Sequence, residues 1–246
     1  MPILYYEREE INSEIPKFLK RVDTLVDIGC GIRPFLNGNC KTRICVEPWK
    51  EYIDILNHCH PKDASYVFLQ MDALTAVKTF PDNSVDSVCM IDLIEHLKKD
   101  EGIELLKQAD RISRKQIVVF TPLGFMPNHS EESDAWGLGG THMQEHKSGW
   151  NPEDFDKTWC LYVCESYHLK SQHHTEIDRD YGCLWAIKNK NVNINALNNT
   201  PEFLKDISKQ FVNNSNRKIK LYNIKTYTYF IFGGLKRLFR KLKGNK

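Results

Sequence analysis

The apolar positions of this 246-residue chain fall into two rhythms. Short, nearly unbroken apolar runs occur at Leu25 to Ile28, Arg43 to Val46, Tyr66 to Gln70, Val85 to Ile91 and Gln116 to Phe120, and these read as strands of a buried parallel sheet. The stretches between them read as helices. Ile15 to Arg21 predicts a short helix leading into the first strand, and Trp49 to His58 and Ala73 to Phe80 predict helical links. Asp100 to Arg114 is the best patterned, with Ile103, Leu106, Ala109 (or Asp110) and Ile112 or Ser113 recurring at about 3.6 residues. Leu161 to His168 and Cys183 to Lys188 predict an antiparallel pair that finishes the sheet. This alternation implies an α/β fold: a seven-stranded, mostly parallel sheet with helices on both faces and an antiparallel last strand. No internal repeat interrupts it.

The strand ends carry the candidate chemistry. Thr24 to Arg33 (TLVDIGCGIR) runs into a turn where Gly29 and Gly31 allow backbone to approach a ligand closely. Pro34 stands where a dinucleotide-binding fingerprint places its third glycine, so the usual pyrophosphate pattern is broken. Asp27, an acid in an otherwise apolar strand, needs a partner. Glu47 closes the second strand sixteen residues after Gly31, where α/β nucleotide sites place a ribose-hydroxyl acceptor. Asp72 and Ala73 follow the third strand, and Asp92 follows the fourth. Each acid has a plain alternative. Asp72 reads equally as a helix N-cap, Glu47-Pro48 as an exposed turn, and Asp92 with Glu95 and His96 as a capped first helical turn. Their common register places them along the carboxyl edge of one sheet, where open α/β sheets bind ligands.

Taken in order, Asp27-Ile-Gly-Cys-Gly31, Glu47, Asp72-Ala73 and Asp86…Asp92-Leu-Ile-Glu-His-Leu97 resemble the successive motifs of class I S-adenosylmethionine-dependent methyltransferases of the type 11/12-like kind. The resemblance spans residues 20 to 190 or so. It implies a Rossmann-like sheet, S-adenosyl-L-methionine as cofactor and S-adenosyl-L-homocysteine as product. It also implies residue roles. The turn of Asp27, Gly29, Cys30 and Gly31 would pass under the methionine part of the cofactor, and Glu47 would accept the ribose hydroxyls. Asp72 would accept from the adenine amino group with the Ala73 N–H at the ring, and Asp92 and Leu93 would line the methyl-donor end.

Residues 122–151 have no clean periodicity, yet they hold two tryptophans, a phenylalanine and three histidines. A long irregular segment of this composition, placed after the fifth strand, predicts a lid over an acceptor site. Within it, His142 and His146 are the candidate catalytic residues, as a general base or an acceptor-binding group, or else they hydrogen-bond within an ordered loop. On a helix they would share one face, as zinc ligands do, but with no third ligand evident the sequence predicts no metal. His96 competes for the same role. Many methyl transfers need only positioning.

Composition bounds the rest. Length and a 41% hydrophobic content suit one α/β domain, residues 1–190, with additions. None of the eight cysteines forms a CxxC pair. Cys30, Cys45 and Cys89 fall in strands or the glycine turn, as reduced packing residues of a cytoplasmic protein do. The N-terminus lacks the basic start of a signal peptide, and no apolar run approaches the roughly 20 residues of a spanning helix. Residues 191–246 begin as an Asn-rich linker, and positions 217–246 then hold ten Lys or Arg and no acid. The net charge of +2 therefore hides a body, residues 1–216, with 24 basic and 32 acidic residues.

In the tail, Leu235, Leu238, Phe239 and Leu242 form one apolar stripe, with Lys236, Arg237, Arg240, Lys241 and Lys243 opposite. This basic amphipathic helix suits an anionic membrane surface, as a peripheral attachment on the inner face. The alternatives are packing on the acidic body and a nucleic-acid tail. The expected function is methylation, at oxygen, of a small-molecule, sugar or lipid-linked acceptor. RNA methylation using the basic tail is a second reading, disfavoured by the acidic body. A cofactor-binding regulatory or scaffold protein is the non-enzyme reading.

Overall fold

In the strand Val22–Ile28, Val26 and Ile28 point to one face of a sheet and Leu25 and Asp27 to the other, and all four are buried. A strand covered on both sides needs helices on both sides. The computed structural model describes residues 2–190 except 36–39, 62, 129–133, 171–176 and 178. The Asn-rich linker and the basic amphipathic helix lie outside the described residues.

The strands are β1 (Ile3–Tyr5), β2 (Val22–Ile28), β3 (Cys40–Glu47), β4 (Tyr66–Gln70), β5 (Val85–Ile91), β6 (Ser113–Pro122), β7 (Cys160–His168) and β8 (Tyr181–Asn189). The helices are α1 (Arg8–Phe18), α2 (Lys50–Cys59), α3 (Ala73–Thr79) and α4 (Lys99–Ile112). One sheet runs in the order β1-β7-β8-β6-β5-β2-β3-β4. All its pairs are parallel except those of β8, which runs antiparallel to both β6 and β7. Val26, Ile28, Val88, Val119 and residues of α3 and α4 form the core on one face. On the opposite face Ile11 and Ile15 of α1 pack with Leu25, Val118 and Tyr162, and Ile53 and Leu56 of α2 pack with Cys45.

Three expectations are corrected. The sheet has eight strands, because β1 adds to the edge beside β7 with Ile3 paired to Leu161. Three residues, two of them exposed, are too few to show a period. The first helix begins at Arg8 rather than Ile15, and its buried contacts are Ile11 and Ile15, one turn apart. In α4 the buried face is Gly102, Leu105, Ala109 and Ile112, while Ile103 is 52% exposed. The cause is the indole of Trp150. A Cβ at Gly102 would lie 2.5 Å from Trp150 Cζ2, so α4 turns its one bare position toward that ring.

Candidate active site

The chain runs from β2 outward through β3 to β4, then returns to β5 on the other side of β2. This reversal opens a crevice at the carboxyl ends of β2 and β5, the place where doubly wound sheets bind ligands. Gly29 and Gly31 turn the chain there with φ of +70° and +53°. The turn is tied to β3 by Gly29 N donating to Val46 O at 2.8 Å. A Cβ on Gly29 would come within 2.6 Å of Leu93 Cδ1, so glycine is required for space as well as for conformation. After β5, Asp92 takes φ of +47°, an uncommon backbone for any residue but glycine. Its N–H donates to Phe120 O at 3.0 Å, which holds the bend.

Glu47 is buried, and it clasps two elements. Its Oε2 accepts from Gly31 N at 3.0 Å and its Oε1 from Trp49 N at 2.9 Å. Burial raises its pKa, and these two backbone donors oppose the shift. Asp27 finds its partners in the Phe35 N–H (2.7 Å), the Cys89 thiol (3.3 Å) and Arg43 (3.8 Å), so it braces the chain after the glycine turn. Asp72 is the N-cap of α3, accepting from Thr75 N at 2.8 Å, and a carboxylate has lone pairs beyond that one bond.

These strand ends border one cavity of about 660 Å³, within the range of small-molecule sites. Asp27, Gly29, Cys30, Gly31, Glu47, Asp72, Ala73, Asp92 and Leu93 all lie in its wall. The donor set fits a nucleoside. Each Glu47 oxygen takes a single donor from the protein, and a carboxylate oxygen can accept two.

The opposite wall comes from the segment after β6, and it is tethered rather than loose. Asp134 Oδ1 accepts from Trp136 N (3.0 Å) and Leu138 N (2.8 Å). Its Oδ2 accepts from Gly140 N (2.7 Å) and the Tyr52 hydroxyl (2.5 Å). Burial pushes the Asp134 carboxyl up, but these donors outweigh it and hold its pKa low. Gln144 Nε2 also reaches the Tyr52 oxygen at 3.2 Å, and Trp49 Nε1 donates to Leu138 O at 2.9 Å. Trp136 is thereby held over Gly31, where a Cβ would lie 2.6 Å from its Cη2. Trp136, Gln144 and Lys147 border the cavity. Sequence reasoning missed the Tyr52–Asp134–Gln144 tether, because its members lie far apart in the chain and each alone reads as ordinary polar surface.

His142 and His146 do not share a helix face. Only Thr141–Met143 forms a turn of 3₁₀ helix, so the two rings diverge. His142 is exposed and meets Trp49 edge-on, with ring centroids 5.3 Å apart. His146 is buried, its Nδ1 2.6 Å from Met126 O and its ring 4.9 Å from that of His96. Neither lines the cavity, whereas His96 does.

Beside His96, Glu95 is 2% exposed and its Oε2 accepts from Thr121 Oγ1 at 3.0 Å. Asp92 is exposed at the cavity wall, within the concave site. Burial there pushes its carboxyl up to about 7, and burial together with the Asp92 charge pushes Glu95 well above the usual carboxylate range. Burial, then the neighbouring His146, pushes His96 down to about 4.

Residues 26–120 match a family model described as a methyltransferase domain. No curated protein is similar to the chain in sequence. A SAM-dependent methyltransferase from Archaeoglobus fulgidus is 17% identical, with 75% of this chain and 95% of that one aligned at a TM-score of 0.47. The [4+2]-cyclase SpnF is 14% identical, over 75% of this chain and 81% of that one, at a TM-score of 0.52. The N-methyltransferase NodS from Bradyrhizobium japonicum, solved with S-adenosyl-L-homocysteine, is 13% identical, over 74% of this chain and 86% of that one, at a TM-score of 0.49. Residues 26–120 thus match a methyltransferase-domain family model, and they supply the doubly wound part of the sheet and the strand-end acids that border one cavity.

Proposed function

We propose that the protein transfers a methyl group from S-adenosylmethionine to an oxygen atom of a small-molecule, sugar or lipid-linked acceptor. The observation that carries this reading is one cavity with two unlike walls. The strand ends bring Glu47, Asp72 and Asp92, and the segment after β6 brings Trp136, Gln144 and Lys147. The first set suits a nucleoside. The second combines an aromatic face with hydrogen-bonding ends, which suits a hydroxylated ring.

When bound, S-adenosylmethionine supplies a methyl group already activated on a positively charged sulfur. The protein's part is to bind, orient and exclude water. Glu47 would accept from the ribose hydroxyls with its remaining lone pairs, and Asp72 from the adenine amino group beside the Ala73 N–H. The Gly29–Gly31 turn would pass under the methionine part, with Asp92 and Leu93 at the methyl-donor end. Positioning of this kind supplies a large share of the rate when the donor is intrinsically reactive. His142 and His146 stand off the cavity, so the reading gives neither of them a proton to move.

Titration with S-adenosylhomocysteine by calorimetry tests the donor side, and micromolar binding is expected. Transfer of labelled methyl groups to extracted small-molecule, glycan and lipid fractions tests the acceptor side. Label in none of these fractions, or label recovered on nitrogen, sinks the acceptor reading. The tail stripe of Leu235, Leu238, Phe239 and Leu242 supports attachment to an anionic membrane. The full chain should therefore float with phosphatidylserine vesicles, and a chain ending at residue 216 should not. Equal flotation of the two would end that part of the reading.

A further inference from the structure

Glu95, His96 and His146 meet although fifty residues separate the last two. The short 3₁₀ turn Ile94–His96 follows β5, and the chain after β6 is laced onto it. Lys147 N and Ser148 N both donate to Glu95 O, at 2.7 and 3.1 Å, and Ser148 Oγ donates to Ile94 O at 3.2 Å. Trp150 Nε1 in turn donates to Ser148 Oγ at 3.0 Å. This lacing places His146 against His96.

One potential ligand atom from each of the three side chains lies within 4.8 Å of the other two. The rings are oriented for ligation. A carbonyl oxygen can only accept, so the ring nitrogen facing it carries the proton. Nδ1 of His146 faces Met126 O at 2.6 Å and Nδ1 of His96 faces Glu145 O at 3.2 Å, with the Asp92 carbonyl a weaker neighbour of His96. With the proton on Nδ1, each ring carries its lone pair on Nε2. Metal-binding histidines are held by the same kind of contact, an outer N–H donated to a backbone carbonyl.

The third ligand shows an independent sign. Glu95 is 2% exposed, and while its Oε2 takes the Thr121 hydroxyl, its Oε1 has no hydrogen-bond partner among the described residues. A buried carboxyl oxygen without a donor is costly; Glu95 and its neighbour Asp92 repel when both are charged, and a cation would satisfy the oxygen and offset that repulsion.

We propose that Glu95 Oε1, His96 Nε2 and His146 Nε2 form a binding site for one divalent first-row transition cation behind the cavity, which His96 borders. Two imidazoles and one carboxylate suit zinc, iron or manganese rather than calcium or magnesium. Three protein ligands leave further positions for water or an oxygen of the acceptor. Because His96 borders the cavity, the site lies next to the space assigned above to the acceptor. The role toward the acceptor rests on the proposed function, but cation binding itself does not.

The test is calorimetry of the full chain after dialysis against chelator, titrated with ZnCl₂ alone and, separately, MnCl₂ alone. Manganese controls for the eight free cysteines, which favour zinc. Wild type is expected to hold one equivalent of either ion with micromolar or tighter affinity. His96→Ala and His146→Ala are expected to weaken it at least thirtyfold. Glu95→Gln keeps the shape and the Thr121 contact, so it reports on the carboxylate even if a histidine variant fails to fold. It is expected to weaken binding at least tenfold. S-adenosylhomocysteine binding, measured in parallel, separates this proposal from the donor reading: His146→Ala should lose the cation and keep that ligand. Failure of wild type to bind either ion stoichiometrically, or cation binding that Glu95→Gln and His146→Ala both keep, would overturn the site.

Discussion

Replacing Glu47 with glutamine tests the joint between sheet and ligand. The carboxylate accepts from Gly31 N at 3.0 Å and Trp49 N at 2.9 Å. It therefore fixes the glycine turn and the entry to α2 before any ligand arrives. Glutamine keeps one acceptor oxygen and turns an amide NH₂ toward the other donor. One charge-assisted bond is lost, about 1.5–3 kcal/mol, while the neutral amide removes the desolvation that raises the Glu47 pKa. At about 2–4 °C per kcal/mol for a domain of this size, the melting temperature should drop by roughly 3–12 °C. On the ligand side, the ribose loses a carboxylate acceptor worth the same amount, so S-adenosylhomocysteine should bind about 10- to 150-fold more weakly. Differential scanning calorimetry reads the first quantity and isothermal titration the second. A folded variant whose affinity stays within twofold of wild type refutes the ribose role. An unchanged melting temperature refutes the clasp.

Three further outcomes are expected. In Gly31→Ala the new Cβ meets Trp136 at 2.6 Å in a left-handed backbone, which costs about 1–2 kcal/mol before any clash, so S-adenosylhomocysteine affinity should fall at least about tenfold; titration that shows no loss would mean Trp136 does not cover the turn. Tyr52→Phe removes a donor from Asp134 and should lower hydrogen-exchange protection of the Gly140 amide by roughly tenfold or more, and unchanged protection would show that the tether holds without it. Burial pushes the Asp86 carboxyl up, but the Asp23 N–H, Arg114 and Lys115 outweigh it and hold its pKa low. Its stabilisation is therefore present above about pH 4 and lost as the pH falls below that value. The stability gap between wild type and Asp86→Asn should shrink between neutral pH and pH 3, and a constant gap in urea titrations would contradict the assignment.

What was legible in the sequence was whatever a short window carries. The buried strands announce themselves as apolar runs, and β4 and β5 have the bounds expected of them. The strand-end acids stand out because a carboxylate closing an apolar run is unusual. What depends on distant partners was not legible. The face of α4 follows from Trp150, and β1 has meaning only beside β7. His146 looked like a partner of His142 because the spacing assumed a helix, and a single 3₁₀ turn sent it to His96 instead. Asp72 shows a different limit. Capping and ligand binding are not rivals there, because a carboxylate has about four lone-pair sites and the cap bond from Thr75 N takes one.

The pairing of Ile3 with Leu161 bears on how the chain is made. Ile11 and Ile15 of α1 are also buried against a cluster that includes Tyr162 and Trp185. β1 and α1 thus complete their packing only when β7 and β8, far along the chain, have been made. At translation rates of about 5–20 residues per second, that wait is roughly 8–30 s. Throughout it, β2 to β6 can assemble into the parallel half of the sheet without their N-terminal cover. Docking of β1 and α1 is then a late step of biogenesis, and for that interval the buried faces of Ile11 and Ile15 are open to chaperones.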